Sequence, residues 1–164
     1  DVINVIDTQP PTIAASVAVP LLWPASHDLV NVGLAFSAND NGCGTASTQL
    51  AVFSDEADVA DGADGNFSPD AKDIGAGTLR LRAERTDAEH GNGRVYLIRV
   101  TSTDASSNTA AKCLAVVVPT SKSAADVNDV KARGQAAAAQ CTATGLPPAG
   151  YVAVGAGPVI GSKQ

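Results

Sequence analysis

Short runs in which apolar and polar residues alternate recur along the first two-thirds of the chain, each closed by Gly, Pro, Asn or Asp. Residues 12–19, 29–38, 49–54, 78–85, 94–103 and 114–118 read as strands on that pattern. Residues 94–103 give the clearest one, with Val95, Leu97 or Ile98, and Val100 as its apolar members. The β-branched run Val2-Ile3-Asn4-Val5-Ile6 precedes them and is cut off by Gln9-Pro10-Pro11. The whole amounts to about seven short strands at roughly ten-residue spacing, the signature of an all-β, antiparallel sandwich.

The pattern changes after Pro119. Ser123 can cap a helix over about residues 123–139 that includes Asp126, Val127 and Val130 and ends in the alanines 136–139. Gly145-Leu146-Pro147-Pro148 breaks it, and residues 151–154 and 159–160 are short β-prone pieces set in glycine. The expected organisation is an N-terminal strand extension over 1–6, a sandwich over 7–119 and a C-terminal extension over 120–164. That extension is too small to fold alone, so it must pack on the sandwich or on a neighbour.

Composition narrows the function classes. Of 164 residues 45% are apolar, enough for a core, yet aromatics are only 4% and Met is absent. A core of Val, Ile and Leu suits thin β layers. The net charge of −6 argues against a nucleic-acid partner, which would need a basic face. No run of 18 apolar residues occurs, so no transmembrane helix is expected. Three cysteines in a small Gly/Pro-rich chain suit an oxidising, extracellular compartment.

Acids and arginines are unevenly placed. Residues 55–77 hold seven of the seventeen acids: Asp55, Glu56, Asp58, Asp61, Asp64, Asp70 and Asp73. Calcium takes six to eight oxygen ligands, which such a loop can supply, and Glu56, Asp61, Asp64 and Asp70 are the candidate ligands. The spacing is not that of an EF-hand, and the competing reading is a solvated acidic loop. Arg80, Arg82, Arg85, Arg94 and Arg99 lie on the two strands that follow. A structural network in which Arg82 and Arg85 grip carboxylates, with Glu84 joining, is favoured over a groove for anionic ligands. For the cysteines, a sandwich brings the loop of Cys43 and the last strand, with Cys113, to one end, so Cys43–Cys113 is the expected bridge. Cys113–Cys141, which would staple the extension to the sandwich, is the alternative.

Catalysis finds little support. His27 lies by Trp23-Pro24, His90 lies in Glu89-His90-Gly91, and neither is near a nucleophile motif. No enzyme is expected.

Several segments, in order, carry a resemblance. Asp7…Pro10-Pro11, Leu22-Trp23-Pro24…His27-Asp28-Leu29-Val30, Ser54-Asp55-Glu56, Leu81-Arg82-Ala83-Glu84-Arg85, Gly93-Arg94-Val95-Tyr96 and Thr103-Asp104-Ala105-Ser106-Ser107-Asn108 resemble bacterial HYR-like, immunoglobulin-like modules. The match covers about residues 7–119; Ser107 stands where glycine is usual, and Ala71 where an aromatic is usual. The resemblance implies an immunoglobulin-like fold and a place among spacers and adhesive units of secreted or surface bacterial proteins, with no activity attached. Val2, Ile3, Val5 and Ile6 then read as an unpaired strand that can add to a neighbouring subunit, which implies self-association or contact with neighbouring domains. The expected function is a non-catalytic, calcium-stabilised subunit or module of an extracellular assembly. The alternative is a carbohydrate- or surface-binding accessory module of a larger secreted enzyme.

Overall fold

The computed structural model describes residues 6–41, 46–59, 67–86 and 91–164. Among them run β1 (Thr12–Ser16), β2 (Leu29–Asn31), β3 (Ala35–Asn39), β4 (Ser47–Ser54), β5 (Ala71–Lys72), β6 (Arg80–Arg82), β7 (Arg94–Thr103), β8 (Thr109–Val118), α1 (Ala124–Thr144) and β9 (Val152–Ala153). The strands form three antiparallel sheets, ordered β1-β3, β2-β6-β5 and β8-β7-β4-β9. The arrangement is β-rich and consistent with a β-sandwich.

The four-stranded sheet is covered on both faces, and its sequence shows why. Along β7 and β8, Tyr96, Ile98, Val116 and Val118 point to one face and join Leu81 of β6, Ala71 of β5 and Val52 of β4 in the main core. Their neighbours Val95, Leu97, Cys113 and Val117 point to the other face and pack beneath α1, against Val130, Ala137 and Cys141. Strands buried on both faces lose the apolar–polar alternation. That accounts for the unbroken run Val95-Tyr96-Leu97-Ile98.

Residues 29–38 are not one strand but two. The chain breaks at Gly33, whose φ of +63° carries it out of the β2–β6 pairing and into the β1–β3 pairing. A Cβ at this glycine would sit 2.7 Å from Ala18 Cβ, so the crossing admits no side chain.

The helix is longer than its predicted span. Ser123 caps it, its hydroxyl accepting from the Asp126 amide at 3.1 Å, and Gly145 closes it at φ +73°. Its buried residues Val130, Gly134, Ala137 and Cys141 form one face. A Cβ on Gly134 would lie 3.0 Å from a Val117 methyl and 3.1 Å from Ala115 Cβ. The small residues thus let the helix lie close on the sheet, and of the alanines 136–139 Ala137 is buried against it. Among the described residues no helix is long and apolar enough to cross a membrane.

The bridge forms between Cys113 and Cys141, with Cα atoms 5.8 Å apart. This corrects the expected Cys43–Cys113 pairing. Because the extension packs on the outer face of β8, Cys113 points toward the helix, and the helix supplies its partner; Cys43 lies outside the described residues. Beyond the helix, β9 pairs with Phe53 and Ser54 of β4, so the short strand expected at residues 151–154 is used inside its own chain.

Candidate functional site

Two groups of charged side chains stand out, one at each end of β7. At the first, Arg94 opens the strand with its side chain buried. Its guanidinium lies 2.5 Å from Asp70 Oδ2, donates to Ser54 Oγ at 2.9 Å and to the Glu56 carbonyl at 2.9 Å, and covers the Tyr96 ring at 4.7 Å. Glu84 Oε1 is 3.9 Å away and Glu56 Oε2 4.0 Å away. Arg82 is equally buried, 3.3 Å from Asp70 Oδ1, and donates to the carbonyls of Pro69, His27 and Lys163. Tyr96 donates its hydroxyl to the Arg82 carbonyl, tying the two arginines' strands together.

Two buried arginines therefore face three carboxylates, those of Asp70, Glu56 and Glu84. The surplus falls on Glu84. Burial pushes its carboxyl up to about 7, against the hydrogen bond from His27, whose Nδ1 is 2.9 Å from Oε2. Burial likewise raises Glu56, opposed by Arg94, and raises Asp55, opposed by the Val95 amide. An acid whose folded pKa lies above its unfolded value stabilises the fold below the unfolded pKa and loses that contribution as pH rises through the folded one. Stability is thus expected to fall from about pH 4.5 to pH 7, by up to about 3 kcal/mol from Glu84 alone. Glu84→Gln should flatten that slope in urea titrations at successive pH values. An unchanged slope would remove Glu84 as its source.

The sequence-predicted residues are only partly brought together. Of the candidate calcium ligands, Asp61 and Asp64 lie outside the described residues. Glu56 accepts from the Thr86 amide and faces Arg94, and Asp70 is sandwiched between Arg82 and Arg94. A carboxylate held between two guanidiniums is spoken for by cations of the chain itself. Asp58 also turns inward, accepting from the amides of Asp70, Gly155 and Gly157, and so anchors the C-terminal segment. Arg82 and Glu84 do belong to one network. Among the described residues Arg85 donates to the carbonyls of Pro119, Thr86 and Thr120. Arg94, the centre of the cluster, stands among the concentrated arginines in the sequence, where the pattern assigns only Arg82 and Arg85 to carboxylates. Ile6, the described member of the expected assembly strand, is 73% exposed; Val2, Ile3 and Val5 lie outside the described residues.

At the far end of β7, Asp7, Asp40 and Asp104 bring carboxylate oxygens within 4.8 Å of one another. Asp104 shapes this end: its Oδ1 accepts from the Ser106 and Asn108 amides at 2.8 Å, and its Oδ2 accepts from Asn108 Nδ2. Asn108 Nδ2 also donates to the Asp7 carbonyl at 3.1 Å, fixing the N-terminal segment to the β7–β8 turn. Ser107 holds φ +71°, so the turn keeps the left-handed conformation usual for glycine. Three carboxylates at this distance offer the hard oxygen donors that calcium prefers.

No family model, no curated protein and no solved structure matches the chain.

Proposed function

We propose that this chain is a non-catalytic, immunoglobulin-like module of the HYR-like kind, working outside the cell as a subunit of a bacterial surface assembly joined by strand addition. The observation that carries the reading is the edge of β4. Its eight residues, Ser47 to Ser54, contain no charge, proline or glycine, and β9 pairs with only the last two. Edge strands of stable monomers are ordinarily guarded by charge, proline or bulges. The rest of the chain supports a structural role. Arg82 and Arg94 are paired in the interior with Asp70, and the disulfide, compatible with an extracellular setting, fixes the helix to the sheet.

The test is sedimentation of the purified chain over a wide concentration range, with and without residues 1–6. Concentration-dependent polymers that vanish in the shortened chain are expected. A strict monomer at every concentration overturns the assembly reading, and a monomer that binds polysaccharide establishes the accessory-module alternative. Calcium belongs to the same reading as a stiffening ion. Melting should shift upward in calcium and return with EDTA; an unmoved transition removes calcium from it.

A further inference from the structure

We propose that the outer side of β4 from Ser47 to Ala51, which no described strand pairs, receives residues 2–6 of a second copy of this chain as an added strand. This rests on the assembly reading above and names its two surfaces.

The polarity of the edge is set by β9. The Val154 amide donates to the Val52 carbonyl at 3.0 Å, so Val52 directs its backbone groups away from β7. In an antiparallel strand the direction repeats every second residue, so Leu50 and Thr48 present their amides and carbonyls to the same side. Among the described residues no strand pairs with them there. The opposite edge of the sheet differs: residues 20–22 lie along β8, with Leu22 N donating to Val117 O and Val117 N to Pro20 O.

The occupant must be apolar on the face that meets the core. Along Ser47–Ala51 that face carries Leu50, packed on the main core, and the other carries Ser47, Gln49 and Ala51. Val2-Ile3-Asn4-Val5-Ile6, extended, offers Ile3 and Val5 to one side and Val2, Asn4 and Ile6 to the other.

Reach then selects a second copy over self-pairing. Asp7 is tied to Asn108 at the β7–β8 turn, and the sheet order is β8-β7-β4. A new strand outside β4 therefore lies two to three strand spacings away, roughly 10–14 Å. The six residues before Asp7 span at most about 20 Å when extended, so crossing that distance leaves about two to run along the edge. The same segment arriving from another molecule has no such limit. The contact is head-to-tail and does not close on itself, the geometry of a filament.

Cross-linking on a Cys43→Ser background tests the pairing, since the other two cysteines are bridged. Chains carrying Ile3→Cys or Val5→Cys are mixed with chains carrying Gln49→Cys or Ala51→Cys and oxidised. Disulfide-linked heterodimers are expected in the mixtures and in neither chain alone. Polymers without any such cross-link overturn the assigned edge while leaving the assembly reading intact. An intramolecular cross-link in a chain carrying both cysteines also overturns it, and the absence of all polymers overturns both.

Discussion

Replacing Arg94 with methionine is expected to cost about 3–5 kcal/mol, the loss typical of breaking a buried ion pair from one side. The substitution leaves Asp70 fully buried with, among the described cations, the Arg82 contact at 3.3 Å, strips Ser54 and the Glu56 carbonyl of a donor, and removes the guanidinium 3.9 Å from Glu84. Arg94→Lys should fall between, because an ammonium keeps the charge but cannot serve Asp70, Ser54 and Glu56 from a planar fork. Adding Asp70→Asn to Arg94→Met should recover part of the loss, since the stranded carboxylate is then gone. Urea unfolding of the four proteins measures this directly. A loss below about 1 kcal/mol, the range of exposed pairs, would mean that water reaches the cluster.

Removing the bridge with Cys113→Ser and Cys141→Ser is expected to cost about 3–4 kcal/mol, from the chain entropy regained when a 28-residue separation is released. The loss should be concentrated where the bridge acts. Cys141 sits on the same helix face as Val130, Gly134 and Ala137, so the last turns of α1 and the segment after Gly145 should exchange amide hydrogens faster than the β7–β4 pairing does. Uniform acceleration across the sheet would show that the helix and the sheet unfold as one unit.

Most of the fold was legible wherever local pattern and tertiary demand agree. The β7 range read from sequence coincides with the observed strand, and Ser123 caps the helix as expected. The break at Gly33 was hidden because Val32 and Leu34 are both buried, so a change of sheet looks like continued alternation. The predicted helix ends at the alanines because Cys141, Thr142 and Thr144 favour helix only weakly; the packing of Cys141 against the sheet carries it on to Thr144. The disulfide was misassigned for a related reason: nothing in the spacing of Cys113 says that its side of β8 lies under the extension.

The charged cluster shows a different limit. Ser54, Glu56, Arg82, Glu84, Arg94 and Tyr96 all occur within the short segments that carried the family resemblance, yet they are separated by up to 42 positions. Their convergence depends on the register of β6, β4 and β7, which no single segment encodes. The acid-rich loop drew attention through its local charge density, whereas Asp7, Asp40 and Asp104 are each unremarkable locally and meet only in three dimensions.

Amide hydrogen exchange at Thr48 and Leu50, followed from dilute to assembled protein, tests the central claim most directly. Both amides should exchange freely in the monomer and become protected on assembly, while the inward-directed amides of Gln49 and Ala51 stay protected throughout. Assembly that leaves Thr48 and Leu50 unprotected, or protection already complete in the dilute monomer, would contradict a subunit contact built on the β4 edge.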